Sequence, residues 1–311
     1  MKKNLLATKP WFMAPLLIVA AILAPSVCLS QTTDATLTTR IAVGRGPRAV
    51  VFDGSNIWVA NQFGNSVTKL RASDGVNLGS FATGVRPIAL AYAGSSIWVA
   101  NKFSNNVMKL RASDGALLQT IQVGLGPEGI LFDGGNMWVA DGGGGTVTKL
   151  RASDGVKLGT FAVGNRPIAL AFDGANVWVA NNDSNSVTKL RASDGVNLGT
   201  FRAGRDPAGI AFDGANLWVT NFYSRSVTKL RATDGAKLAS ITVGDGPGSV
   251  AFIGGFIWVA NYGSSSVSRI APGGTVVSTY AVGKTPAGVT SDGVSLWVAN
   301  GSSNSVSRVT L

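Results

Sequence analysis

The chain is built from short apolar runs separated by polar, glycine-rich punctuation, and the same four runs return along its length. In the first copy AVVFD (residues 49–53) leads into an Asp53-Gly54 turn, and IWVAN (57–61) follows. A polar stretch, QFGN, precedes SVTKLRAS (66–73), a second turn at Asp74-Gly75, and VNLGSFATG (76–84). Runs of five to eight residues rich in Val, Ile, Phe and Trp, bounded by Asp-Gly, predict four antiparallel strands a, b, c and d. They are too short for helices, and the glycines supply the positive φ that tight hairpins need. Apolar residues on both faces of strands b and c predict a sheet sandwiched between two others.

The tryptophan of strand b gives the period. Trp58 recurs as Trp98, Trp138, Trp178, Trp218, Trp258 and Trp297, five spacings of 40 residues and one of 39. Seven copies of a four-stranded unit at this period predict an all-β fold, a seven-bladed β-propeller of four-stranded antiparallel blades. The tryptophans are read as packing between neighbouring blades rather than as a ligand platform. The last copy stops after SVSRVTL (305–311) and lacks a strand d, whereas TTRIAVG (38–44) is a strand d without a blade. The N-terminal strand over 38–43 is therefore expected to complete the last blade as a Velcro closure, hiding edges that invite aggregation. The 39-residue spacing follows from a c–d turn one residue shorter, in IAPGGTVVSTYAVG (270–283).

Residues 1–30 read as a signal peptide, and residues 31–311 as one propeller domain. Lys2, Lys3 and Lys9 form a basic region, and the apolar run over 11–24 is short and flanked or broken by Pro10, Pro15 and Pro25. That pattern suits a secretory leader cleaved after Ser30 better than a membrane span. Lipid anchoring through Cys28 is the rival reading, opposed by Val27 where a small residue is wanted. Cys28 is the only cysteine, so the mature chain has no disulfide and the predicted location is periplasmic or secreted. Without the three leader lysines, 24 basic residues face 16 acidic ones, a net charge of +8. A polyanion is permitted by that balance and not required by it.

The repeat WVAN..SNSVTKLRASDG..LGTFAVG..P.GIAFDG.N, clearest over 178–216, resembles the YVTN family of seven-bladed propeller repeats. It is also similar to the related propeller of the virginiamycin B (streptogramin) lyases. The resemblance covers nearly all of residues 38–311 and implies the fold; propellers carry many unrelated functions. The lyase resemblance implies histidine, glutamate and a divalent metal. This chain contains no histidine, and Glu128 is its only glutamate, so that activity does not carry over.

Strand order puts the a–b and c–d turns on one face and the b–c and d–a loops on the other. The first face repeats DGxN and ASDG almost unchanged. The second varies in every copy: b–c loops QFGN, KFSN, GGGG, NDSN, FYSR, YGSS and GSSN, and d–a loops GRGPR, GVRPI, GLGPE, GNRPI, GRDPA, GDGPG and GKTPA. A uniform face opposite a differentiated one predicts that the second binds something. Its cations are Arg45, Arg48, Arg86, Lys102, Arg166, Arg205, Arg225 and Lys284. Its aromatics are Phe63, Phe103, Phe222, Tyr223 and Tyr262, and its acids include Glu128, Asp141, Asp183, Asp206 and Asp245. Arginine forks suit carboxylate or phosphate oxygens, and exposed rings stack on sugars or apolar groups. Arg48 and Glu128 begin innermost strands, where other copies carry Ile88, Ile168, Ala208, Gly248 and Ala287, and are expected at the mouth of the central channel.

Without histidine, Ser-His-Asp, His-zinc and His-base schemes are excluded, and no catalytic residue, metal or cofactor is predicted. GLGPEG (124–129) spells a dinucleotide motif but joins two strands, with no helix to hold a phosphate. Asp141 replaces the asparagine found at Asn61, Asn101, Asn181, Asn221, Asn261 and Asn300, a ring expected to cap its loops. The Lys-x-Arg of strand c (Lys69/Arg71, Lys109/Arg111, Lys149/Arg151, Lys189/Arg191, Lys229/Arg231, with Arg269 and Arg308) is expected to snorkel over the outer rim. A polyanion belt is its alternative, and sequence-specific nucleic-acid binding is not expected because aromatic interleaving is absent. The reading is a monomeric exported binding module for an envelope protein or an anionic or glycan-like ligand. A structural cell-surface repeat protein is the alternative, followed by a histidine-free lyase or hydrolase.

Overall fold

A computed structural model describes residues 39–311; the leader, its cleavage site and Cys28 lie outside the described residues. The described chain holds 28 strands and one short 3-10 turn, Gly301–Ser303. The first five strands set the plan: β1 (Thr39–Ala42), β2 (Pro47–Phe52), β3 (Asn56–Asn61), β4 (Ser66–Arg71) and β5 (Asn77–Ala82). β2 to β5 form one antiparallel four-stranded sheet, and five further sheets repeat it in sequence order. The seventh takes Pro286–Ser291, Ser295–Asn300 and Ser305–Thr310 from the C-terminus, and β1 from the N-terminus as its outer strand. Thr39 pairs with Arg308 and Ala42 with Ser305 in that sheet. The inner strands touch one another in order, and β2 meets Pro286–Ser291, so the seven sheets close a ring.

Each innermost strand carries a bulge at the same place. In β2, Pro47 pairs with Asn61 and Ala49 with Ala60, leaving Arg48 as the extra residue. The same shift falls at Glu128 and at Ile88, Ile168, Ala208 and Ala287, and in the remaining blade it spans Gly248 and Ser249. A bulge frees one residue from the ladder and re-aims its side chain. Here the freed residues Arg48, Ile88, Glu128, Ile168, Ala208, Gly248 and Ala287 line one cavity at the centre of the ring.

The core lies between blades. Trp58, fully buried, packs on Ile97, Val99 and Leu110 of the next blade, and Trp297 packs on Ile57, Val59 and Leu70 across the closure. Each indole contributes roughly 4–6 kcal/mol of apolar burial as an upper bound. The indole nitrogens explain the uniform face. Trp58 Nε1 donates to Asp53 Oδ2 at 2.7 Å, while Asp53 Oδ1 accepts the Asn56 N–H at 2.6 Å. Asp133, Asp173, Asp213 and Asp292 repeat the contact with Trp138, Trp178, Trp218 and Trp297. These aspartates therefore serve the core as well as the turn, a role the Asp-Gly pattern did not disclose.

Two expectations are corrected. The strand-c lysines do not snorkel over the rim. Lys69 is buried, and its Nζ reaches the next blade, donating to Ala112 O and Ser113 O, both at 2.8 Å, while lying 5.1 Å from the Trp58 ring. Lys109 and Lys149 make the same staple, Lys189 binds Ala232 O and Thr233 O, and Lys229 binds Pro272 O. Across the ring closure Arg308 makes the equivalent contact, donating to Ser73 O at 3.0 Å, whereas Arg269 of the sixth blade lies over Phe256 of its own blade. The five arginines of the Lys-x-Arg pairs stay at the rim, each paired with a turn aspartate, as in Arg71–Asp74 at 2.8 Å. The asparagine ring likewise ties strand b to strand c rather than capping its loops, and among the described residues only Asn221 Oδ1 takes a loop N–H, from Gly204 at 2.8 Å. Asn61 is fully buried, and its Nδ2 donates to Ser66 Oγ and Thr68 Oγ1 of strand c, with Gly44 of the preceding d–a loop against its side chain.

Candidate functional site

The b–c and d–a loops meet on one face and are laced together by backbone hydrogen bonds: Gln62 N–H to Gly46 O, Phe63 N–H to Arg45 O, and Lys102 N–H to Arg86 O. The residue before each strand-a proline is left-handed in all seven blades. Gly46, Gly126 and Gly246 fill that position in three (φ 63°, 58° and 59°), whereas Arg86 and Arg166 adopt it at φ 63° and 51°. Asp206 and Thr285 complete the set.

Within this ring of loops lies a cavity of about 530 Å³ bordered by Arg45, Arg48, Arg86, Lys102, Arg166 and Glu128, with Phe63 and Tyr262 at its edge. Below it the channel continues as a space of about 220 Å³ lined by Val50, Ile88, Ile168, Ile210 and Val289, with Arg48, Glu128, Phe222 and Tyr262 above. The expected channel-mouth placement of Arg48 and Glu128 is what the structure shows. Glu128 holds two cations with one oxygen: Lys102 Nζ donates to Oε1 at 2.8 Å and Arg166 Nε at 3.2 Å. Arg166 also donates to Asn182 Oδ1 at 3.0 Å and lies 3.7 Å from Asp183. Its removal from water opposes ionisation, but the Glu128 charge and hydrogen bond outweigh that and raise its pKa. Burial lowers the Arg48 pKa, with Glu128 and Tyr262 acting against it and Arg86 and Arg166 adding to it.

Arg86 is clamped between two rings, its guanidinium carbon 5.4 Å from the Phe63 centroid and 4.8 Å from that of Phe103. Its Nε is buried without an acceptor among the described residues. Phe222 stacks edge-on to Tyr223 and packs on Tyr262, and Arg205 lies over Tyr223. Arg225 pairs with Asp245 at 3.1 Å. Arg205, Tyr223, Arg225 and Lys284 sit on the same loops but outside the cavity walls.

Asp141 is corrected: it is no ligand-binding residue of this face. It is fully buried, accepting from Gly124 N–H at 3.0 Å and Thr148 Oγ1 at 2.6 Å, and burial raises its pKa against those hydrogen bonds. The Gly142–Gly145 loop beside it opens a second space of about 530 Å³ over Lys102, Glu128, Arg166 and Asp183. A side chain at Gly142 would lie 2.9 Å from Glu128 Oε1, so the glycines keep that opening clear. Sequence reasoning missed Gln62 and Ser302 as cavity lining; both sit in the differentiated b–c loops, which was the available signal. No cluster of metal-ligating side chains is found among the described residues.

No family model matches the chain, and no curated protein matches it by sequence. Solved structures do match it. A streptogramin B lyase superposes with a TM-score of 0.76 at 20% identity, covering 88% of this chain and 97% of that one. The hydrazine synthase of Kuenenia stuttgartiensis gives 0.77 at 20% identity, covering 87% and 97%. The virginiamycin B lyase of Staphylococcus aureus gives 0.77 at 17% identity, covering 88% and 99%. Identities this low speak for architecture, and the chain is a seven-bladed β-propeller of the fold seen in the streptogramin B lyases.

Proposed function

We propose that the protein is an exported binding module whose b–c/d–a loop face captures an anionic partner, either a small ligand or the acidic patch of an envelope protein. The supporting observation is the backbone of Arg86 and Arg166. Both occupy a left-handed position that glycine fills in three other blades. A non-glycine residue there costs about 1 kcal/mol or more. Strain of this kind gathers where side chains have work to do, and here both side chains reach the rim of the same cavity. Export rests on the basic and apolar leader pattern of residues 1–30.

The test is capture from the native envelope by immobilised wild-type protein and by Arg86→Glu. Reversal is expected to abolish capture while leaving thermal unfolding unchanged. Equal capture by both proteins refutes the assignment of this face.

A further inference from the structure

The charges around the channel mouth do not balance. Five cations, Arg45, Arg48, Arg86, Lys102 and Arg166, border one cavity with a single carboxylate, Glu128. Lys102 and Arg166 already share that carboxylate. No carboxylate of the described residues lies within 4.0 Å of Arg45, Arg48 or Arg86. Folding alone gives no reason for this. At the bulged position five other blades carry Ile88, Ile168, Ala208, Gly248 and Ala287, and an uncompensated guanidinium in a confined site is a cost.

We propose that the mouth of the channel binds a compact dianion, two oxyanion groups on a short apolar body, with Arg45, Arg48 and Arg86 as its counter-charges. The inference rests on the reading of this face as a binding surface and names the chemistry of what it takes. Each guanidinium presents a fork that matches a carboxylate or phosphate edge. The Arg86 fork is held in place before any ligand arrives, because Phe63 and Phe103 clamp it, which lowers the ordering cost of binding. Two groups are called for because Arg48, on the first inner strand, and Arg86, on the following d–a loop, present separate forks. The space of about 220 Å³ beneath Arg48, walled by Val50, Ile88, Ile168, Ile210 and Val289, takes the apolar body. A short dicarboxylate and a short bisphosphonate share this chemistry.

Calorimetric titration of the full chain with succinate, with ethane-1,2-bisphosphonate and with propionate as a monoanion tests the idea. One site per chain is expected for at least one dianion, with propionate at least about ten-fold weaker, the effect of losing one charge-assisted hydrogen bond. Which dianion binds tells carboxylate from phosphonate. Arg48→Met and Arg86→Met are each expected to weaken it about ten-fold or more, and Arg231→Gln, at the outer rim, to leave it unchanged. The unfolding midpoint of Arg48→Met is expected to match or exceed wild type, since a confined charge is removed, so lost binding there is not lost folding. Absence of binding by both dianions, or equal binding by Arg48→Met, overturns the proposal. If both dianions fail while Arg86→Glu still loses envelope capture, this inference falls and the binding face stands. If capture is also indifferent to Arg86→Glu, both fall.

Discussion

Two blades lack the aspartate that the other five use to hold their tryptophan, and the one whose indole is left without any acceptor offers a direct test of how the ring is stabilised. Asp53 and its counterparts accept the indole N–H in five blades at 2.7–2.8 Å. In the sixth, Trp258 donates instead to the Ile253 carbonyl at 3.3 Å. In the second, Ala93 stands where the aspartate belongs, and Trp98 Nε1 is buried with no acceptor. Its turn reads Ala93-Gly94-Ser95-Ser96, against Asp53-Gly54-Ser55-Asn56 in the first blade. The double substitution Ala93→Asp/Ser96→Asn therefore transplants an existing turn into a scaffold of the same length. A buried unsatisfied donor costs about 1–3 kcal/mol. The new carboxylate must itself be partly desolvated, so a gain of about 1–2 kcal/mol is expected. For a domain of this size that is a rise of roughly 2–8 °C in the unfolding midpoint, read by scanning calorimetry at pH 7. The reciprocal change, Asp133→Ala, should lower the midpoint by a similar amount. If the double variant is no more stable than wild type while Asp133→Ala is destabilised, the orphaned indole of Trp98 carries no cost and the reasoning is wrong.

Three other outcomes follow from the same contacts. For Asp133, Asp173 and Asp213 burial opposes ionisation, but hydrogen bonds from the indole, the backbone and the neighbouring asparagine outweigh it and depress the folded pKa. Their stabilisation is therefore present above the unfolded value of about 3.9 and lost as pH falls through the folded value; Asp133→Asn should flatten the acid limb of a stability–pH curve. Asp141 has the opposite sign, its folded pKa raised by burial, so its ionised form weakens the fold above that value and the penalty vanishes on protonation. Asp141→Asn, the residue of the other six blades, should raise the midpoint at pH 7 and leave it unchanged near pH 3, and a gain equal at both pH values refutes the assignment. Lys149→Met should cost about 1–3 kcal/mol by stranding the Ala192 and Ser193 carbonyls, whereas Arg151→Gln at the rim should cost no more than about 1 kcal/mol; parallel urea unfolding of the two separates staple from surface pair.

The architecture was legible because a 40-residue period, a tryptophan per period and Asp-Gly punctuation all speak about one blade at a time. What escaped is what one blade does to the next. Lys69 alternates with Leu70 like any amphipathic strand residue, and only the neighbouring sheet, whose Ala112 carbonyl lies 43 residues onward, shows that it is buried. Asp53 was recognised as a turn former, which it is, but its second oxygen belongs to an indole five residues away, inside the fold. Asp141 looked like loop chemistry because it ends a strand at the variable face, and burial decided otherwise. At the site, residue types and the channel-mouth position of Arg48 and Glu128 could be read from the aligned repeats. The sharing of Glu128 between Lys102 and Arg166 could not, since it joins three different blades.

The bulge on each inner strand has an evolutionary consequence. It detaches one residue per blade from both the ladder and the packed layers between sheets, so the side chain there can change without disturbing its neighbours. The ring thereby offers seven interchangeable slots around a single opening, of which Arg48 and Glu128 fill two with charge and five hold small or aliphatic groups. New recognition can be written into such a frame one slot at a time.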